Sequence, residues 1–500
     1  MSEKLNKLKE LLGEVQDLRN ASAILGWDQQ TYMPQGGAEA RGYQLATLGK
    51  LAQIKFTSDE VGKLLDELKA EFAEADPESD DAALVRVTAR DYDRAKRVPP
   101  EFVAESAIVT TKAFEAWMEA RQKSDFTIFR PHLEKVVELV RKYVTFFPPA
   151  DHPYDTLLED YEPGMKTADV QAIFNDLRPQ QVKLLKVIAA QKQVKDSFLY
   201  GKYNEKKMDA FSVEIATRFG YDWKKGRQDR APHPFTTTFS VNDVRITTRF
   251  EKDKPAAMLF STMHETGHAL YELGSKPEFD RTPLMGGASL ALHESQSRLW
   301  ENLVGRSLPF WEYFYPQFKK LFPAQLDGVS LKTFYKAINK VEPSLIRVNA
   351  DEATYNMHIM LRLELEIGMV EGRLAVKDLP EIWNTKMNEY LGVTPTNDAL
   401  GVLQDMHWSG GAIGYFSTYA LGNLVSAQLW EKINADIPDL NEQIRKGKFD
   451  DLLGWLRTNL HQHGRKFEPQ ALVQKITGSR INSAAYIRYL TQKYSEIYGL

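Results

Sequence analysis

Cysteine is absent from the 500 residues, and with it go disulfide staples, thiolate zinc clusters and cysteine nucleophiles. Long apolar runs are missing too. No stretch approaches the ~20 apolar residues that a membrane-spanning helix needs. The opening MSEKLNKLKELL is charged where a signal peptide would be apolar. These absences lead us to expect a soluble, cytoplasmic protein with no membrane partner. Charge of one sign is also lacking: the net charge is −4, and without a basic stripe no nucleic-acid partner is expected. No Gly/Ser linker, fixed-period repeat or low-complexity tract offers a place to cut the chain. A single domain over residues 1–500 is therefore expected, in spite of a length that would ordinarily suggest about three.

What is present reads as helix after helix. With 43% hydrophobic and 26% charged residues, the chain can bury a large core. Leu5, Leu8, Leu11, Leu12, Val15 and Leu18 recur at helical spacing, which predicts an amphipathic first helix. Residues 58–83 are helical in period and acidic, with a break near Asp76-Pro77, and read as a solvated helix face with a turn. Helical periods continue over 101–125 and 130–146. They resume near Thr167, after the turn-rich Pro148 to Pro153. One region differs. Pro234 to Phe250 is rich in β-branched and aromatic residues around Asn242-Asp243, a hairpin signature. Its open edge could take an extended peptide as an added strand. From Pro255 the chain is helical again. The expected architecture is mainly α, with one small sheet beside a cleft.

The chemistry follows the hairpin. His264-Glu265-Thr266-Gly267-His268 is a His-Glu-x-x-His sequence. On a helix, residues four apart share a face, so both imidazoles can reach one ion while Glu265 sits beside it without being a ligand. With only 10 histidines in the chain, a chance match is on the order of one in a hundred. Two imidazoles suit zinc, with cobalt or manganese as substitutes. A catalytic zinc takes three protein ligands and keeps one open position. Beyond Gly286-Gly287, on a second apparent helix, lies Leu292-His293-Glu294-Ser295-Gln296-Ser297-Arg298. Glu294 is the expected third ligand, in a gluzincin-like arrangement. His293 is its rival, about 100° away around the helix. Zinc would bring water towards a pKa of ~7, and Glu265 would take the proton as that water attacks a carbonyl carbon.

At these residues the chain resembles the M32 metallocarboxypeptidases of the carboxypeptidase Taq type. Trp27-Asp28 with Met33-Pro34, Tyr154-Asp155 with Tyr161-Glu162-Pro163-Gly164, and Asp229-Arg230-Ala231-Pro232-His233-Pro234-Phe235 resemble family signatures. So do His293 to Arg298, Ile346-Arg347-Val348-Asn349-Ala350-Asp351-Glu352, and Gly401 to Trp408. The matches keep one order over nearly the whole chain. The resemblance implies removal of single residues from free peptide C-termini with broad tolerance, a helical fold with a deep cleft, and a homodimer. It also implies one peptidase domain whose helical part (about 1–200) and catalytic part (about 201–500) both line that cleft.

Further roles follow from the resemblance. Arg347 offers a fork suited to a terminal carboxylate, with an ion pair to Asp351 as the alternative. His407 and Tyr415 are candidate donors to the oxyanion, whereas Tyr419 reads as core. His233, held between prolines, is a candidate substrate contact. His461 and His463, two apart, cannot share a helix face. Many gluzincins carry an acidic residue one turn after the ligand glutamate to orient a histidine. Arg298 stands there instead, which leaves Asp405 or Gln404 as a guess for the acceptor. A zinc oligopeptidase or endopeptidase of the M3-like type is the alternative activity, and it would need no anchor for the substrate's terminus. A helical scaffold with a degenerate metal site is the non-enzymatic alternative, and no functional position is degenerate.

Overall fold

The computed structural model describes residues 2–252 and 254–500. Helix accounts for 69% of the residues, and three short strands make the one sheet among those described. The mainly α expectation holds. The chain divides into two compact units, each assembled from three separate stretches.

The first unit comprises Met1–Lys96, Lys195–Ala337 and Leu429–Gly478. Its opening helix, Glu3–Thr31, is capped by Ser2, whose side chain accepts from Leu5 N. As the spacing predicts, Leu5, Leu8, Leu11, Leu12 and Val15 are buried, packed with Phe56, Leu65, Leu68, Leu84, Phe279 and Leu284. The acidic stretch breaks more widely than the Asp76-Pro77 turn alone. One helix covers Asp59–Glu71 behind a Ser58 cap, and the next starts at Asp80. Between them Asp76 accepts from Glu78 N at 2.9 Å and Ser79 accepts from Ala82 N at 3.3 Å. The Asp76 bond turns the chain out of helix, and the Ser79 bond caps the start of the next one.

The hairpin forms as β2 (Thr236–Ser240) and β3 (Asp243–Thr248), antiparallel, with a register shift between Thr238 and Ser240. It gains an unforeseen partner, β1 (Gln228–Arg230), which runs parallel to β3 and gives the order β1-β3-β2. Three residues are too few to show a strand period. Strand residues Phe239, Val244 and Ile246 are buried, and the helix Pro255–Leu273 packs on β2 and β3. The N-terminal signature explains itself here. The Arg245 guanidinium on β3 lies 4.6 Å from the Trp27 ring centroid and 4.8 Å from that of Phe239. Asp28 pairs with Arg41 at 2.7 Å.

The second unit comprises Arg97–Val194, Ile338–Gln428 and Ser479–Leu500. Helices Pro100–Lys123, Phe126–Val144 and Thr167–Ala189 match the periodic stretches. A short helix, Pro153–Leu158, was not foreseen, and His152 caps it. Helix Tyr355–Glu371 is buried over most of its length and carries two fully buried charged residues, Arg362 and Glu366. Buried charges must be answered by partners. Glu366 accepts from Tyr154 Oη at 2.6 Å, Trp408 Nε1 at 2.7 Å and Gly414 N at 3.0 Å. Burial raises that carboxyl to about 7 against these three donors. Two of the sequence signatures, through Tyr154 and Trp408, thus meet at one side chain.

Candidate active site

Helix Pro255–Leu273 and helix Leu290–Arg298 of the first unit carry the His-Glu-x-x-His sequence and Glu294. Their close approach depends on Gly267. A Cβ there would lie 2.6 Å from Gln296 O and 2.7 Å from Ser297 Cα, both unyielding backbone. Glycine inside the motif lets the second helix press against the first.

The consequence is a convergence of three donor atoms. Glu294 Oε2 lies 3.6 Å from His264 Nε2 and 3.6 Å from His268 Nε2. Among the described residues, this is the one cluster of three whose ligand atoms all lie within 4.8 Å of one another. Tetrahedral coordination with bonds of ~2.0–2.1 Å would separate ligand atoms by about 3.3–3.4 Å. The two separations from Glu294 Oε2 therefore match a zinc-sized ion to within a few tenths of an ångström.

The atoms behind the donors are equally ordered. His264 Nδ1 is 3.0 Å from Glu301 Oε2, and Glu301 also receives Arg298 Nη1 at 3.2 Å and Arg306 Nη2 at 3.3 Å. Burial would raise the Glu301 carboxyl, yet these cations and His264 hold it well below the ordinary range. Arg298 Nε donates to Glu294 Oε1 at 2.6 Å, which leaves Oε2 towards the imidazoles. His268 Nδ1 meets His293 Nδ1 at 2.7 Å, and His293 Nε2 meets Glu272 Oε1 at 2.5 Å. The rival ligand His293 is thus turned to the back of His268.

The acceptor guessed at Asp405 or Gln404 is corrected. Gln404 accepts from Arg347 N at 2.8 Å, and Asp405 is bound by two arginines. Glu301 takes the role for His264. It lies seven residues after Glu294, in the π-helical segment Leu299–Val304 that continues helix Leu290–Arg298. That spacing could have found it; a search one turn away misses it. Burial draws the proton affinity of both imidazoles down. For His264 the Glu294 and Glu301 carboxylates reverse this, while His268, among other imidazoles, stays well below the ordinary value.

Glu265 is 6% exposed, and its carboxyl is raised by burial, against lowering by His264 and by the Thr236 hydroxyl. Thr236, on β2, donates to Glu265 Oε2 at 2.6 Å. A buried, raised carboxyl suits a proton acceptor working near neutrality. His233 is exposed, with Nδ1 2.8 Å from Pro234 O, and a charge on it would lower Glu265.

Arg347, His407 and Tyr415 gather in the second unit. Arg347 pairs with Asp405 and not with Asp351, whose carboxylate accepts from Glu342 N, Ala353 N and the Thr354 hydroxyl at 2.9 Å each. Arg347 Nη1 reaches Tyr355 Oη at 2.9 Å, and its guanidinium carbon lies 5.0 Å from the Tyr419 ring centroid. The His407 ring lies 5.4 Å from that of Tyr415, and Tyr419 is half-buried with its hydroxyl 3.5 Å from that of Tyr415. His461 is buried against Gln296 Oε1 at 2.9 Å, outside the donor cluster.

Frame and donor set together define a class, the helical metallopeptidases of the His-Glu-x-x-His type. Comparison with known proteins narrows it. The model of the carboxypeptidase Taq (M32) metallopeptidases matches residues 7–494, and the chain belongs to that family. It is 40% identical over 502 residues to thermostable carboxypeptidase 1 of Thermus thermophilus, and 37% identical over 495 residues to carboxypeptidase 1 of Bacillus subtilis. Each alignment covers 98% of both chains. Among solved structures, an M32 carboxypeptidase from Deinococcus radiodurans R1 is 40% identical with a TM-score of 0.97 over 100% of both chains. A Pyrococcus furiosus carboxypeptidase is 37% identical with a TM-score of 0.96 over 99% of both. The chain is a metallocarboxypeptidase. No described helix is long and apolar enough to cross a membrane.

Proposed function

We propose that the chain releases single residues from free peptide C-termini, with broad tolerance for the departing side chain, using one zinc ion held by His264, His268 and Glu294. Convergence of three donor atoms about Glu294 Oε2 is the observation that carries this reading. Cobalt or manganese would serve in zinc's place, since the donor set is nitrogen and carboxylate without thiolate. A divalent ion there supplies Lewis acidity to water and to the scissile carbonyl.

The remaining steps belong to the protein. Glu265 Oε2, steadied by the Thr236 hydroxyl, accepts the proton of the attacking water and passes it to the departing amine nitrogen. Tyr415 and His407 donate to the oxyanion that develops on the carbonyl oxygen. Arg347 holds the substrate's terminal carboxylate, with His233 as a further substrate contact. A homodimer and a cytoplasmic location complete the reading, the dimer drawn from the family resemblance and the location from a chain without cysteine.

The test is hydrolysis of one peptide with a free and with an amidated C-terminus, alongside elemental analysis of the same preparation. One equivalent of metal and cleavage of the free acid alone are expected. Equal cleavage of both peptides would favour an endopeptidase.

A further inference from the structure

The Gly286-Gly287 pair lies between the two ligand-bearing helices, and its surroundings give it a purpose. A Cβ at Gly287 would lie 2.8 Å from His293 Cδ2 and 2.9 Å from Tyr271 Cε1. Gly286 takes φ +92, and a Cβ there would meet Glu272 Oε1 at 3.5 Å. The loop is stripped of side chains where it wraps the His293–Glu272 pair.

Hydrogen-bond accounting then fixes the protons along this line. A carboxylate only accepts, so Glu272 Oε1, 2.5 Å from His293 Nε2, takes that ring's N–H. With that N–H at Nε2, His293 turns Nδ1 as acceptor to His268. The 2.7 Å contact with His268 Nδ1 must carry His268's own N–H. His268 is left with its lone pair at Nε2, the atom 3.6 Å from Glu294 Oε2. His264 reaches the same tautomer in one step, through Glu301.

We infer that His293 is a positioning residue: as the link in a Glu272–His293–His268 relay, it locks His268 in the tautomer that presents Nε2 to the metal. This rests on the metal reading proposed above and goes beyond it, because it assigns the two ligand histidines different supports. One is backed directly by a carboxylate and the other through an imidazole. Orienting partners of this kind are worth ~10–100-fold in metal affinity.

The experiment measures zinc affinity by competition with a chromophoric chelator, together with the melting temperature of the metal-free protein. The forms compared are wild type, His293→Asn and His293→Leu. Asparagine can place an acceptor oxygen near the position of Nδ1, whereas leucine places none. The relay predicts that His293→Leu loses ~10–100-fold in affinity while His293→Asn keeps most of it, with both metal-free proteins melting close together. If leucine prevents folding, His293→Ala carries the same comparison. Should the leucine or alanine protein bind zinc as tightly as wild type, or should asparagine lose as much, the relay is wrong although the metal site stands. A wild type that takes up no zinc overturns the metal reading and the relay with it.

Discussion

Arg347 and Asp405 form a two-pronged pair in which Nε and Nη2 both donate to Oδ1, at 3.1 and 2.8 Å. The other carboxylate oxygen, Oδ2, receives Arg362 Nε at 2.7 Å. Burial would raise Asp405, yet the two guanidinium groups hold it well below the ordinary carboxylate range. One negative charge therefore holds two buried positive ones, Arg347 being 6% and Arg362 0% exposed. Two guanidinium groups thus share the Asp405 carboxylate, a balance that would favour an anionic substrate group.

Arg347→Ala should accordingly lose several kcal/mol of transition-state binding on a free-acid peptide and far less on its amide. The kcat/KM ratio between the two substrates is the quantity to measure. Arg347→Lys should recover little, because an ammonium cannot reproduce the fork held by Asp405 and Tyr355. Equal slowing of both substrates would make Arg347 a structural ion pair, and would send the search for the anchor to His233, Arg245 or Arg249.

Glu265→Gln should retain its metal and lose most activity, since the amide keeps the shape but cannot take a proton. Metal content and kcat measured on one sample decide it. Metal falling in step with activity would assign Glu265 to the frame of the site.

Gly267→Ala tests the helix contact beneath the site. With backbone at 2.6 and 2.7 Å from the new methyl group, overpacking should cost ~1–3 kcal/mol of stability. It should also weaken zinc binding by pushing Glu294 away from the imidazoles. Calorimetric melting with and without zinc reads both effects; unchanged zinc affinity would mean that the helices yield elsewhere.

Glu366 predicts how stability depends on pH. Folded, its carboxyl keeps a proton up to about 7; unfolded, it releases it near the ordinary 4.5. Between those values the folded chain holds more protons, so this contribution is complete below about 4.5 and disappears as pH rises through about 7. Its size is on the order of a few kcal/mol. Asp351, raised by burial to about 6, adds to the same slope. Urea midpoints between pH 5 and 8 should fall less steeply in Glu366→Gln than in wild type. Parallel curves would refute the assignment.

The helical frame was readable because long amphipathic helices repeat their burial, as Leu5 through Val15 do. The donor set was readable because residues four apart share a face, and the family signatures added their order along the chain. Strand β1 escaped because its pairing partner lies well away in sequence and three residues carry no period. Glu301 escaped because it lies seven residues from Glu294, beyond the one-turn spacing, in the π-helical segment Leu299–Val304. Glu272 and His293 lie 21 residues apart, and only folding around Gly286-Gly287 makes them neighbours. Arg347's choice of Asp405, 58 positions away, over the nearby Asp351 is likewise a tertiary fact.

The first unit is woven from three separated stretches, and this dictates when the site can come into being during synthesis. His461 and Arg465 belong to the last stretch. His461 buttresses Gln296, and Arg465 grips Asp91 of the first stretch at 2.8 Å as well as Leu284 O at 2.9 Å. A ribosome that has finished the His-Glu-x-x-His segment has yet to make residues Leu429–Gly478. Until they emerge, the ligand helices lack the surfaces that seat them. The first unit is therefore completed late in synthesis, once that last stretch is available. It also means that a contiguous fragment must run from Met1 to Gly478 to carry all three stretches of the unit.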